Sequence, residues 1–137
     1  MAQAGEQDVI LAPHYREGMD FLETLRGVVV LVHLVAFAIM FGAWTVEAAA
    51  RRYQATRLMN FGVLVALVSG LVLSAPWGVD GELNYVKIGI KLVVLIVVAA
   101  LTGISTSRTK KGPPLPTSVF WLIGALVLFN AGIAVLW

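Results

Sequence analysis

"YVKIGIKLVVLIVVAAL", residues 85–101, is apolar almost throughout yet carries two lysines, Lys87 and Lys91. The run is too long and too continuously apolar to be one stripe of a soluble amphipathic helix, so it reads as a helix crossing a bilayer. Lys87 and Lys91 are four residues apart and share one face of it. A charge inside hydrocarbon is costly, so the pair needs an explanation.

The rest of the chain has the same character. Of its 137 residues, 59% are apolar and 13% charged, against about 25% charged in soluble domains. Mean hydropathy is +0.87. The net charge of +2 is too small to argue for nucleic acid. Cysteine is absent, which excludes disulfides, cysteine-ligated iron–sulfur clusters, thioether-attached haem and a cysteine nucleophile.

Four runs approach the ~20 apolar residues that a bilayer core requires: 27–50, 58–75, 83–104 and 118–137. Their connections, "RRYQATR", "PWGVDGE" and "STSRTKKGPPLPT", are short, which predicts antiparallel neighbours. The expected fold is an all-α, antiparallel four-helix transmembrane bundle over 25–137, preceded by a polar tail over 1–24. About 26 mostly polar residues precede the first run and no basic n-region opens the chain, so this tail reads as retained rather than as a signal peptide. Asp20, with Glu23 three residues on, is placed to cap the first helix at Phe21. Pro113, Pro114 and Pro116 are expected to stop the third helix.

Basic residues set the orientation. Arg51, Arg52 and Arg57 lie in the first link, and Arg108, Lys110 and Lys111 in the third. That side is expected to be cytoplasmic. The opposite side holds Asp80, Glu82 and the acidic tail, which puts both termini outside. The expected location is a bacterial plasma membrane.

With that topology, one polar residue per span falls at a common depth. His33 is eight residues in from Leu25, Lys91 eight in from Leu83, Ser69 about eight from the end of span two, and Asn130 seven from Trp137. At ~1.5 Å per residue all four lie roughly 10–12 Å below the outer interface. Three readings of this layer stay open: interhelical glue, a pocket for a polar headgroup such as a quinone or lipid, or an ion or proton path. Lys91 is expected to find the Ser69 hydroxyl and the Asn130 carbonyl. Lys87, a turn higher, is expected to snorkel toward Asp80, Glu82 or lipid phosphate.

Span two also carries Gly62, Ala66, Gly70 and Ser74, each four apart. Such a stripe lets another backbone approach, either inside one molecule or at a seam with a partner. Glu47, the one acid within a span, has Arg51 four residues later and is expected to pair with it at the interface.

No cofactor, metal site or catalytic set emerges. Haem b would need a second histidine at the depth of His33, and the other, His14, is in the tail. Met40 shares a helix with His33 and cannot reach the opposite haem face. Copper would want further histidine or methionine nearby. The chain has no phosphate loop and no serine–histidine–acid set that this topology could assemble.

"LVHLVAF" and "FGAWTVEAAAR" in span one, "NYVKIGIKLVVLIVVAAL" in span three and the terminal "FWLIGALVLFNAGIAVLW" together resemble a family of uncharacterised four-helix membrane proteins of actinobacteria. The likeness covers 25–137 and rests on His33, the Lys87 and Lys91 pair after Asn84, and Asn130 before a terminal tryptophan. It implies the four-helix fold and a bacterial host, but no established activity. Members are sometimes labelled iron–sulfur proteins, a label that a cysteine-free chain does not support. The leading expectation is a non-catalytic accessory or scaffold subunit of a larger membrane assembly, with a respiratory-chain complex as host and membrane lipids and protein subunits as partners. The alternatives are a small dimeric transporter and a quinone- or lipid-binding membrane protein using the polar layer.

Overall fold

Local signals mark where each helix begins and ends in the computed structural model, which describes residues 2–78, 81–112 and 116–137. Side chains are described for 13, 15–78, 81–108, 111–112 and 116–137. Four helices follow in order: α1 (Ala2–Ala49), α2 (Arg57–Leu73), α3 (Tyr85–Lys111) and α4 (Thr117–Leu136), with no strand among the described residues. Thr56 caps α2, its hydroxyl accepting from the Met59 N–H at 3.3 Å. The Asn84 side chain caps α3 by accepting from the Lys87 N–H at 3.0 Å. Each cap satisfies one of the donors that a helix start leaves unpaired. Gly112 closes α3, donating to the Arg108 carbonyl at 2.9 Å. Pro113 and Pro114, expected to stop α3, lie outside the described residues. Pro116 precedes the first turn of α4, where its missing N–H costs no helical bond.

Three helical segments, Tyr15–Ala49, Tyr85–Arg108 and Thr117–Leu136, are long and apolar enough to cross a membrane. The second helix is apolar but has 17 residues, roughly 25 Å, so it is shorter than the expected 58–75 run. Its last turn gives way at Ser74 to the Pro76-containing loop.

The start of α1 departs most from the sequence reading. Instead of a tail ending at a cap on Asp20, one helix of 48 residues runs from Ala2, roughly 72 Å long. Asp20 lies within it, and its carbonyl accepts the Thr24 hydroxyl at 2.8 Å. The physical reason is propensity. Ten of the 18 residues over 2–19 are Ala, Gln, Glu, Leu, Met or Arg, which favour extending a helix already nucleated in α1 over stopping it at one internal capping signal. Pro13 sits inside the helix and costs it one backbone bond.

Packing follows chain order. The core is a slender line of Ala36, Met40, Met59, Val63, Val98, Ile123 and Val127, all buried. Along the α1–α2 seam, Arg26 reaches the carbonyls of Leu73, Ala75 and Trp77, His33 faces Ser69, and Met40 lies against Gly62. The first link reverses the chain tightly, with Arg51 at φ 56° and Tyr53 at φ 45°. These left-handed conformations disfavour residues with a Cβ. The Tyr53 ring offsets the strain by packing on Phe120 and Trp121, with centroids 5.7 and 5.9 Å away. Outward faces stay apolar: Leu31 is 60% exposed and Val93 62%.

Candidate functional site

Arg26 organises one end of the bundle. The final carbonyls of α2 have no helical partners, and the Arg26 guanidinium donates to three of the carbonyls there: Leu73 at 2.8 Å, Trp77 at 2.9 Å and Ala75 at 3.2 Å. Its carbon lies 5.6 Å from the Trp77 ring centroid, in cation–π range. The Trp77 indole N–H in turn donates to the Val72 carbonyl at 2.8 Å. Gly78, at φ 63°, completes the turn, and a Cβ there would lie 2.7 Å from the Leu22 carbonyl oxygen. Arg26 is not among the residues the sequence singled out. The available signal was an arginine opening one span opposite the "PWG" that follows the next, where a cation can cap exposed carbonyls.

About two turns further along α1, His33 Nδ1 lies 2.9 Å from Ser69 Oγ. Ser69 is buried, and its hydroxyl contacts the Val65 carbonyl at 2.7 Å and the Ala66 carbonyl at 3.1 Å. A carbonyl only accepts, and the hydroxyl has one proton. That proton goes to the carbonyls, so His33 must donate from Nδ1 to Ser69. The neutral ring then presents Nε2 as an acceptor.

A cavity of ≈ 420 Å³ opens beside this pair. Helix α1 contributes Arg26 and His33 to its wall, α2 Gly70 and its C-cap Ser74, and the following loop Glu82 and Asn84. Helix α3 contributes Lys87 and Lys91, which its period places one turn apart on the same face, and α4 contributes Asn130. His33, Lys91 and Asn130 of the polar layer thus share one wall, and Ser69 holds His33 from behind. The expected bonds from Lys91 do not form. The Ser69 hydroxyl is already committed to His33 and the α2 backbone, and the buried Asn130 Oδ1 has no hydrogen-bond partner among the described residues. Lys87 and Lys91 have no ion pair among the described residues. Asp80, one partner expected for Lys87, lies outside those residues.

Beneath the cavity, with Leu95 and Asn130 common to both, is an apolar void of ≈ 20 Å³ bordered by Met40, Val63 and Val98. The polar space therefore has an apolar floor, with the orphaned carboxamide at the boundary.

Of the remaining sequence candidates, Gly70 and Ser74 line this cavity and the others lie apart from it. Gly62 of the small-residue stripe is used within the molecule: a Cβ there would lie 2.9 Å from the Ala36 carbonyl oxygen and 3.0 Å from the Met40 backbone N. Ala66 is buried in the core and Gly70 faces the His33 ring. Ser74 turns its hydroxyl onto the Leu71 carbonyl. Glu47, 6% exposed, pairs with Arg52 rather than Arg51. Arg52 Nη2 lies 2.7 Å from Oε1, and Nε 2.9 Å from Oε2. The i to i+4 argument for Arg51 assumed continuing helix, but α1 ends at Ala49 and Arg51 turns into the left-handed region. That turn carries Arg52 back over the carboxylate in a two-pronged contact. Near this end the Trp44 indole N–H donates to the Phe120 carbonyl at 3.0 Å, and its ring stacks on Phe120 with centroids 5.4 Å apart. No group of three or more histidine, cysteine or acidic side chains is arranged to hold a metal among the described residues. Compared with known proteins, the chain matches no family model, no curated protein and no solved structure.

Proposed function

We propose that this protein is a non-catalytic accessory or scaffold subunit of a larger bacterial membrane assembly. In this reading all four helices cross the plasma membrane as an antiparallel bundle with both termini extracytoplasmic. The order of contacts along α1 and α2 supports opposed directions, since Arg26, His33 and Met40 meet progressively earlier residues of α2. A 17-residue helix is at the short end of the spanning range, and the interfacial Arg57 and Trp77 would anchor it. The bacterial setting and a respiratory-chain host rest on the resemblance of 25–137 described above.

The observation that carries the subunit reading is the projection of α1. Among the described residues, α1 meets the loop after α2 at Leu22, against Gly78, and about 20 residues of helix precede that contact, roughly 30 Å. Tyr15 is 71% exposed and Phe21 66%. An isolated helix of this length containing Pro13 and two glycines is marginal in water, so a partner surface would stabilise it. Deleting residues 2–18 should leave the protein inserted but release it from its host complex on a native gel. Full co-migration of the truncated form would remove the docking role of this segment. Single cysteines at Gln54 and Gly81 test the orientation: an impermeant thiol reagent applied to intact cells should label Gly81→Cys and spare Gln54→Cys.

A carboxylate-driven transporter is less well supported, because Glu47 is already held by Arg52. A second reading, in which the polar layer binds a lipid or quinone, is favoured by one observation. His33, Lys91 and Asn130 line a single cavity large enough for a headgroup.

A further inference from the structure

We propose that the cavity between α1 and α3 holds the headgroup of an anionic phospholipid, with Lys87 and Lys91 binding its phosphate and His33 accepting from one of its hydroxyl groups. The proposal rests on the second reading above, that the layer binds a ligand, and adds the ligand's class.

Charge balance argues first. Among the described residues, three cations, Arg26, Lys87 and Lys91, line the cavity against one carboxylate, Glu82. Arg26 spends its donors on neutral carbonyls, so its charge is solvated but not neutralised. Lys87 and Lys91 stand one turn apart on the same face without an ion pair among the described residues. Two ammonium groups one turn apart repel, and an unpaired charge at membrane depth is costly. A phosphate between them removes both penalties, because each ammonium offers three donors to its oxygens. A quinone is neutral and would leave the excess positive charge in place.

An unpaired acceptor argues second. His33, having donated from Nδ1 to Ser69, turns an acceptor Nε2 away from that contact. The deeper wall thus offers an acceptor while the lysines offer donors. A polyol phosphate such as phosphoglycerol supplies the complement of both, whereas phosphocholine carries its own positive charge and no hydroxyl. The helices also leave a route for the acyl chains. Helix α1 meets α4 around Trp44, Phe120 and Gly124, at the far end from Arg26, and α4 contributes Asn130 alone to the cavity wall.

The test is thermal unfolding of the full chain, delipidated in dodecyl maltoside and titrated separately with four probes. These are phosphatidylglycerol, phosphatidylcholine of the same acyl chains, inorganic phosphate, and decylubiquinone. Phosphatidylglycerol should raise the Tm by several degrees as it binds the folded state, and the other three should not. The double substitution Lys87→Gln with Lys91→Met should abolish that shift while leaving the lipid-free Tm close to wild type or higher. Lys91→Arg, which keeps the charge, should retain the shift, and this separates lost binding from damaged folding. An equal shift from phosphatidylcholine, or one from inorganic phosphate alone, would overturn the assignment to an anionic phospholipid. A shift from decylubiquinone that the lysine substitutions remove, without one from phosphatidylglycerol, would overturn the headgroup class and leave the ligand-binding reading standing. No shift from any probe would overturn both.

Discussion

At Gly124 a single added methyl group should be measurably destabilising. Its missing side chain leaves room for the Trp44 ring: a Cβ built there would lie 2.8 Å from Trp44 Nε1 and closer still to the neighbouring ring carbons. The indole cannot simply swing aside. It donates to the Phe120 carbonyl at 3.0 Å and is stacked between Phe41 and Phe120, with Trp121 edge-on at 5.5 Å. Gly124→Ala must therefore displace a ring packed on three sides. Overpacking of this kind costs about 1–3 kcal/mol, and the lost indole hydrogen bond about 1 kcal/mol more. Ala replaces Gly inside a helix, which returns about 1 kcal/mol. The last two offset, leaving a destabilisation of about 1–3 kcal/mol. In a Trp44→Ala background the obstacle is gone, so the same substitution should be neutral or stabilising by up to about 1 kcal/mol. The coupling between the two sites should then be about 2 kcal/mol. Reversible unfolding in mixed dodecyl maltoside and dodecyl sulfate micelles, followed by far-ultraviolet circular dichroism, measures all four variants without relying on tryptophan emission. Equal destabilisation by Gly124→Ala in both backgrounds would refute the idea that this glycine exists to seat Trp44.

The same assay checks five further expectations. Gly62→Ala should destabilise by about 1–3 kcal/mol, because a Cβ there meets the α1 backbone. Gly70→Ala should be neutral or stabilising by up to about 1 kcal/mol, since its nearest neighbour is the His33 ring edge at 3.4 Å. Arg52→Met strands the buried Glu47 carboxylate and should cost about 2 kcal/mol, discounted from a fully buried pair because Arg52 itself is half exposed. Arg51→Gly, at φ 56°, should be neutral or stabilising by up to about 1 kcal/mol; a larger loss than for Arg52→Met would reverse the assignment of the pair. Arg26→Met removes the donors to the three carbonyls beyond α2 and should cost about 1.5–3 kcal/mol, with faster amide exchange concentrated around residues 72–78.

The amino-acid sequence by itself determines the helical class, the long apolar segments and the common face of Lys87 and Lys91. These follow from residue type and the 3.6-residue period, which act along one chain. Counting along spans also puts His33 near the level of Ser69, because rise per residue is fixed. Tertiary structure decided what depends on rotation about helix axes and on distant neighbours. Whether Glu47 meets Arg51 or Arg52 turns on where α1 unwinds, and that turn is held by Tyr53 against Phe120 and Trp121, more than 60 residues away. Ser69 satisfies its hydroxyl on its own helix and on His33, so Lys91 and Asn130, level with it by count, stay apart from it across a cavity. Gly124 and Gly132 look alike in an apolar helix, yet only the first faces an indole. A period specifies which residues share a face, whereas the partner opposite that face is set by packing the whole bundle at once, which no local pattern encodes.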